Sequence, residues 1–154
     1  MFKGIGVLRR AKRMISNASL ERLFKALVLP HFDYCSLVWD NCSADLKTQL
    51  QRLQNRAARV ITGDSYYSSA TETLSKLGWE TLECRRDEQL LSLVNKNIGG
   101  DSNLSDFFRI SNRDCYDLRS NNNTLMLPKP NTNAMKRTFG CRGAMLWNLN
   151  HDNN

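Results

Sequence analysis

Apolar residues recur at three- and four-residue steps over most of the first hundred positions, the spacing of amphipathic helices. Between Asn17 and Val38 this spacing continues through Pro30. An interior proline removes one backbone hydrogen bond and bends a helix. We therefore predict one helix here, kinked near residues 26–30, with Asn17 or Ser19 as its N-cap.

The clearest helical pattern lies in the next segment, ADLKTQLQRLQNRAARVITG. Ser43 is a favourable N-cap, Asp45 suits the positive end of the helix dipole, and Gly63 can end the helix. One side of this helix is apolar and consists of Leu46, Leu50, Leu53, Ala57, Val60 and Ile61. Such a side is expected to face the core.

Further helices are predicted on either side of these two segments. Residues 3–15 form a basic amphipathic pattern, a short helix ends at Gly78, and a longer one occupies residues 79–98 with Thr81 as its cap. From residue 111 the chain is rich in Asn, which favours loops with room for two short strands at residues 124–127 and 135–139. A last short helix is expected at residues 142–149.

These patterns predict a mainly α fold, a small bundle of four to five helices of which one is kinked at Pro30. We place a helical domain at residues 1–100. Residues 101–154 are expected to form an irregular C-terminal segment that ends in a short helix and a disordered tail.

The stretch FDYCSLVW, at residues 32–39, has the highest density of aromatic residues. Phe32, Cys35 and Trp39 continue the helical steps, so we predict the buried side of the kinked helix with Cys35 as a small apolar filler. His31 and Cys35, one turn apart, could share a metal ion. Zinc sites usually show two closely spaced pairs of ligands, so a buried free cysteine is the favoured interpretation.

Composition changes the picture by pointing to a partner. The chain of 154 residues has 22 Lys and Arg against 15 Asp and Glu, a net charge of +7. A basic chain favours a polyanionic partner such as nucleic acid or an acidic membrane surface. No apolar run is long enough to cross a bilayer, no export signal is recognisable, and the five cysteines are odd in number. We expect an intracellular protein, nuclear or cytoplasmic, with reduced thiols and no membrane partner.

Catalytic motifs are missing from the sequence. GIGVLRR lacks the second glycine and the Lys-Ser/Thr ending of a phosphate-binding loop, and no GxSxG elbow or paired acidic residues follow a strand-like run. We therefore predict no enzyme activity, no cofactor and no metal site.

Arginines spaced by helical turns are the best candidate for function, because their side chains can meet successive phosphates. The stripe Arg52, Arg56 and Arg59 lies in the predicted central helix. The other candidate nucleic-acid-binding residues are Arg9, Arg10, Lys12 and Arg13 upstream, and Arg85 and Arg86 downstream. A solvated basic helix face without a ligand is the alternative.

A family resemblance is carried by four blocks of the sequence, which are PHFDYCSLVWDNC, LQNRAARVITG, LSKLGWETLECRRDEQLLSLVNK and RGAMLWN. Along the chain these blocks occur in the family's order and the similarity covers nearly the whole chain, which resembles the C-terminal, thumb and post-thumb region of jockey-like non-LTR retrotransposon reverse transcriptases. In that family the catalytic palm carries a Tyr-x-Asp-Asp strand, which this chain lacks. The family's LPxxIR-like ending is also missing after Asn148, which suggests a truncated or frame-shifted end.

The resemblance implies a fragment of an RNA-directed DNA polymerase, with the parent palm domain as a partner in a longer chain. It also implies that RNA or an RNA–DNA duplex is held by its backbone, without regard to sequence. Two alternatives stay open. One is a helical module for protein interaction or self-association, and the other is a decayed relic without a selected function.

Overall fold

A computed structural model describes residues 2–98, 104, 107–110 and 124–152. Within these residues the fold is mainly helical, which confirms the predicted class. The helices are α1 (Phe2–Ala11), α2 (Asn17–Leu27), α3 (Leu29–Asp33), α4 (Ser36–Trp39), α5 (Ala44–Thr62), α6 (Ala70–Lys76), α7 (Leu82–Asn97), α8 (Asn133–Lys136) and α9 (Phe139–Asp152).

The chain divides into two compact units, residues 1–86 and residues 87–154, with the division inside α7. The boundary predicted at residue 100 falls where neighbouring residues are not described, and it stays a prediction.

The core of the first unit forms where α1, α2 and α5 pack together. The sequence of α5 sets its orientation, because Leu53, Ala57 and Ile61 follow one another at four-residue steps and all three are buried. The ring of Phe24 in α2 stacks on Trp79, with 4.3 Å between the ring centroids. The buried cluster comprises Ile5, Leu8, Leu20, Phe24, Val28, Phe32, Leu53, Ala57, Ile61 and Leu82.

Two glutamines of α5 fasten the start of α7 to this core. Gln54 is buried, and its side-chain amide donates to the backbone oxygen of Glu80 at 2.9 Å. The side-chain oxygen of Gln51 accepts from the backbone nitrogen of Leu82, also at 2.9 Å. Because buried amides need partners, these bonds fix the position of α7 relative to α5 inside the unit.

The prediction of a single helix kinked at Pro30 is wrong. Helix α2 ends at Leu27, Val28 lies between the helices, and α3 starts at Leu29 with Pro30 in its first turn. Proline has no backbone N–H, so Ala26 loses the donor that a continuous helix would give it. The backbone nitrogen of His31 donates instead to Val28 at 3.1 Å, a tighter turn that separates the two helices.

A second interruption of the helix lies at Cys35. We predicted this residue to be a buried apolar filler, and that prediction is wrong. Cys35 is exposed, and its φ of 50° and ψ of 30° place it in the left-handed region before α4. Phe32 is buried as expected, whereas Trp39 is only half-buried and its ring nitrogen donates to the backbone oxygen of Tyr34 at 2.8 Å. The left-handed residue turns the chain, so the helical spacing no longer describes one apolar side.

Most helix ends follow their local sequence signals. Ser43 caps α5 by accepting from Leu46, Gly63 ends it with a φ of 84°, and Thr81 accepts from the backbone nitrogen of Cys84 at 3.3 Å. These three predictions are confirmed. The cap of α2 is Ser16, not Asn17 or Ser19. Gly99 and Gly100, the predicted end of α7, lie outside the described residues.

In the second unit, helix α9 contains the short helix predicted at residues 142–149 and extends beyond it at both ends. The two predicted strands are not seen. Residues 124–127 contain only an isolated bridge from Leu125 to Ile110, and residues 135–139 belong to the end of α8, the turn after it and the start of α9. Asn148 of α9 takes both backbone groups of Leu125, accepting at 2.8 Å and donating at 3.0 Å. These side-chain bonds satisfy the backbone N–H and C=O of Leu125, groups that a neighbouring strand would otherwise bind.

Candidate nucleic-acid interface

An open groove of about 790 Å³ lies on the first unit between residues of α1, α5 and the segment after α5. We call it the basic groove, because five of its lining residues are cations: Arg9, Lys12, Arg52, Arg56 and Arg59. The remaining lining residues are Gln49, Leu53, Asn55, Val60, Asp64 and Tyr66. The structure thus brings together the whole predicted stripe of α5 and two of the four upstream cations.

The core determines which way the arginines face. In α5, Arg52 and Arg56 each directly precede a residue of the buried row, Leu53 and Ala57 respectively. A helix turns by about 100° per residue, so a stripe that runs one position ahead of the buried row lies beside it. In α1, Arg9 directly follows the buried Leu8, so it also lies beside the buried side of its helix. Packing α1 on α5 therefore carries the two basic sides to one groove.

Arg52, Arg56 and Arg9 are exposed, and within the part of the chain that the structure describes none of them is seen in an ion pair with a carboxylate. Guanidinium groups in this state present several donors in a planar fork, which suits bidentate binding of phosphate oxygens. These three arginines are the cations of the groove that are most accessible to a ligand.

Arg59 is half-buried and partly used by the protein itself. Its Nη2 donates to the backbone oxygen of Ser68 at 2.8 Å, and its guanidinium carbon lies 6.0 Å from the centroid of the Tyr66 ring. Both contacts connect α5 to the segment that leads to α6. Arg59 therefore holds the rim of the groove in place and contributes positive charge to it.

Lys12 approaches the end of α5, since a Cβ built on Gly63 would lie 3.1 Å from its Nζ. A cation at a helix C-terminus is favoured by the helix dipole. Asp64, at the margin of the groove, accepts from Lys76 Nζ at 3.0 Å through both carboxylate oxygens and from Thr73 Oγ1 at 3.1 Å. The hydrogen bond from Lys76, assisted by Thr73, lowers the pKa of Asp64 although desolvation opposes the shift.

The other upstream candidates, Arg10 and Arg13, are exposed but do not line the groove. Arg10 lies in the last turn of α1 and Arg13 lies beyond its end. They add positive charge at and just beyond the end of α1, but they have no defined place in the groove.

Arg85 and Arg86 have structural partners. Arg85 donates to both oxygens of Asp33, from Nε at 2.7 Å and from Nη2 at 2.8 Å. Arg86 is only 6% exposed, its Nε lies 2.7 Å from Asp40 Oδ1, and its guanidinium carbon is 5.6 Å from the ring centroid of Trp39. These arginines tie α7 to the α3–α4 region, and we leave them out of the proposed interface.

Tyr66 is the aromatic lining residue of the groove, and it was not predicted from the sequence. The segment DSYYSS reads as a polar connector, and the two tyrosines in it give no helical or strand period. A pair of aromatics directly after a basic helix was the available signal, because aromatic side chains often accompany cations in nucleic-acid binding.

Other chemistry is limited in the described part of the chain. No group of three His, Cys, Asp or Glu residues there lies in an arrangement that could hold a metal ion. Cys35, Cys42, Cys84 and Cys141 are free thiols. Among the helices so described, none has both the length and the apolar character needed to cross a membrane.

The chain matches no protein-family model, no curated protein and no solved structure. The resemblance to reverse transcriptases therefore stays a prediction that depends on the sequence blocks alone.

Proposed function

We propose that the basic groove binds the phosphodiester backbone of RNA or of an RNA–DNA duplex, without sequence preference. The observation that carries the proposal is the meeting of Arg9 and Lys12 from the α1 segment with Arg52 and Arg56 from α5 in one open groove. Cations on a single helix are common on protein surfaces. Cations brought together from two separate helices concentrate positive charge in one groove, which favours a polyanion as the ligand.

The expected lack of sequence preference follows from the chemistry of the groove. Arginine and lysine contacts to phosphate position a nucleic acid but carry no base information. Gln49 and Asn55, the amides of the lining, could contact sugar or phosphate oxygens as donors. Binding should therefore be mainly electrostatic and should weaken steeply with salt.

The sequence resemblance supports the same partner. A thumb region of a reverse transcriptase packs against template and primer, and LQNRAARVITG, the block that includes Arg56 and Arg59, contributes to both the resemblance and the groove. We propose on this basis that the chain is a fragment of a retrotransposon RNA-directed DNA polymerase. It would hold nucleic acid without catalysing synthesis, because it lacks the catalytic carboxylates of that family.

The test compares two triple variants that remove the same charge. The groove variant carries Arg9→Ala, Arg52→Ala and Arg56→Ala, and the control carries Lys3→Ala, Arg22→Ala and Arg137→Ala, three exposed cations outside the groove. Arg59 is kept in both, because its bond to Ser68 also supports the structure. Affinity for a labelled RNA–DNA duplex is measured by fluorescence anisotropy over a range of about 50 to 300 mM salt.

We expect the groove variant to bind more weakly and the slope of log affinity against log salt to fall by roughly one for each lost phosphate contact. The control should lose less affinity and keep most of its slope. Equal losses in the two variants would mean that net charge alone attracts the nucleic acid, and the groove assignment would then be wrong.

A protein-interaction module is the second candidate, and exposed apolar side chains favour it. Tyr34 and Val38 are 79% and 81% exposed, and Leu27 is also exposed. Large apolar groups in water mark possible contact surfaces when they adjoin one another. Oligomers that depend on protein concentration, persist at high salt and do not form with a Val38→Lys variant would support this function. A protein that stays monomeric at high concentration would exclude self-association.

A further inference from the structure

Two neighbouring tyrosines, Tyr66 in the lining of the basic groove and Tyr67 next to it in sequence, are not among the cations proposed to contact phosphate. Tyr66 is 80% exposed and lines the groove, and Tyr67 beside it is 92% exposed. Their rings make an edge-to-face pair with 5.5 Å between the centroids. Aromatic rings normally gain free energy by burial, so an exposed pair next to a cluster of cations requires a reason.

The segment that carries them is held by specific hydrogen bonds. The side-chain oxygen of Ser65 accepts from the backbone nitrogen of Tyr67 at 3.4 Å. The backbone oxygen of Ser65 accepts from the backbone nitrogen of Ser68 at 3.1 Å, which closes a turn. Arg59 then anchors that turn to α5 through the backbone oxygen of Ser68 at 2.8 Å. Tyr66 is thus placed at the groove by the backbone while most of its surface stays accessible to a ligand.

We infer that Tyr66 stacks on an unpaired base whose neighbouring phosphates occupy the basic groove. The preferred ligand is then a single-stranded segment, either free or as the overhang of a duplex. The inference rests on the proposed function, since the cations must first hold the backbone. A positively charged groove lined with an aromatic ring is the usual means of binding single strands, because every base offers a π-face whatever its identity.

Paired bases cannot use this contact in the same way. Inside a duplex each base is already stacked on its neighbours, and opening it costs a few kcal/mol. An overhang presents its bases without that cost. Tyr66 would therefore discriminate between single-stranded and fully paired ligands of similar charge, whereas Arg9, Arg52 and Arg56 would bind both.

The experiment compares Tyr66→Leu with Tyr66→Phe in the full chain. Leucine removes the aromatic face, and phenylalanine keeps it without the hydroxyl. Each variant is titrated by fluorescence anisotropy with a blunt RNA–DNA duplex, the same duplex with an overhang of about eight nucleotides, and that overhang built from abasic sites. The abasic ligand keeps the phosphates and removes the bases, so it tests stacking on the unaltered protein.

Tyr66→Leu should weaken binding of the overhang ligand about tenfold, leave the blunt duplex nearly unchanged and keep the salt slope. Tyr66→Phe should bind like the original protein, and the original protein should bind the abasic overhang about tenfold more weakly than the base-containing overhang. Equal affinity for base-containing and abasic overhangs, or an equal effect of Tyr66→Leu on blunt and overhang ligands, would overturn the inference.

The two proposals fail separately in this design. Weak binding by the arginine triple variant together with no effect of Tyr66→Leu would keep the groove and reject the stacking. A loss with Tyr66→Leu but none with the arginine triple variant would reject the backbone contacts of the groove, and with them the inference as stated.

Discussion

Among the described residues that line the basic groove, Asp64 is the one carboxylate, and its neighbours shift its pKa. The hydrogen bond from Lys76 lowers its pKa, with a smaller contribution from Thr73. A lowered pKa in the folded protein means that the pair stabilises the fold above the ordinary value of about 4 and that this contribution disappears as the pH falls through the lowered value.

We predict that Lys76→Met raises the pKa of Asp64 toward its ordinary value, as measured by an NMR titration of the side-chain carboxyl. The urea midpoint of the variant should lie below that of the original protein at neutral pH, and the difference should shrink as the carboxyl becomes protonated. Glu72→Gln, a change of an exposed carboxylate in α6, is the control and should leave the pKa of Asp64 unchanged. A pKa of Asp64 that does not respond to Lys76→Met would contradict the assignment.

At the residue scale, the sequence predicted the groove arginines but not which basic residues have internal partners. Arg52 and Arg56 could be assigned to one side of a helix from spacing alone. The partner of Arg85 is Asp33, 52 positions away, and no local pattern contains that information. Tyr66 was missed for the same reason, because its place at the groove depends on the anchoring of a turn by Arg59.

At the scale of elements, α1 offers two glycines in different surroundings. A Cβ on Gly6 would meet no atom within 4 Å, whereas a Cβ on Gly4 would lie 3.0 Å from Cγ2 of Val28, the residue that ends α2. Glycine inside a helix costs roughly 0.5 to 1 kcal/mol relative to alanine. The two positions share this propensity gain and differ only in the contact.

We predict that Gly6→Ala increases the free energy of unfolding by roughly 0.5 to 1 kcal/mol, because nothing opposes the gain in helix propensity. Gly4→Ala should gain less or become destabilising, since Val28 must move to admit the methyl group. Urea denaturation of both variants measures the difference. If the two variants were equally stable, the close approach of α1 to Val28 would not be a feature of the folded protein.

Helix positions could be predicted where local chemistry determines them. Ser43 and Gly63 bound α5 because a capping hydroxyl and a left-handed glycine act on their own neighbours. The break at Cys35 could not be predicted in this way, since cysteine has no preference for a φ of 50°. That turn, together with the break at Val28, divides an apparently continuous helix into α2, α3 and α4.

At the scale of the whole molecule, the net charge of +7 conceals two uses of arginine. Arg86 is buried against Asp40, which also pairs with Lys47 at 3.0 Å, whereas Arg52 is exposed in the groove. Removing one member of a buried pair leaves a buried charge without its partner. Removing an exposed cation changes the surface field and leaves the core intact.

We therefore predict opposite outcomes for the matched variants Arg86→Met and Arg52→Met. Arg86→Met should lower the free energy of unfolding by about 3 kcal/mol, the lower end of the usual range because Lys47 still contacts Asp40. Arg52→Met should change stability by less than about 0.5 kcal/mol but weaken binding of nucleic acid. Urea denaturation and anisotropy titrations under conditions where each variant is folded separate the two effects.

A double variant decides whether the loss in Arg86→Met comes from the carboxylate of Asp40, which loses one of its cationic partners and keeps Lys47. Asp40→Asn together with Arg86→Met removes both charges, so the double variant should lose less stability than the sum of the two single variants. Additive losses would mean that Arg86 contributes mainly through its packing on Trp39, at 5.6 Å from the ring centroid. Weaker nucleic-acid binding by folded Arg86→Met, equal to that of Arg52→Met, would instead place Arg86 in the interface and contradict its structural role.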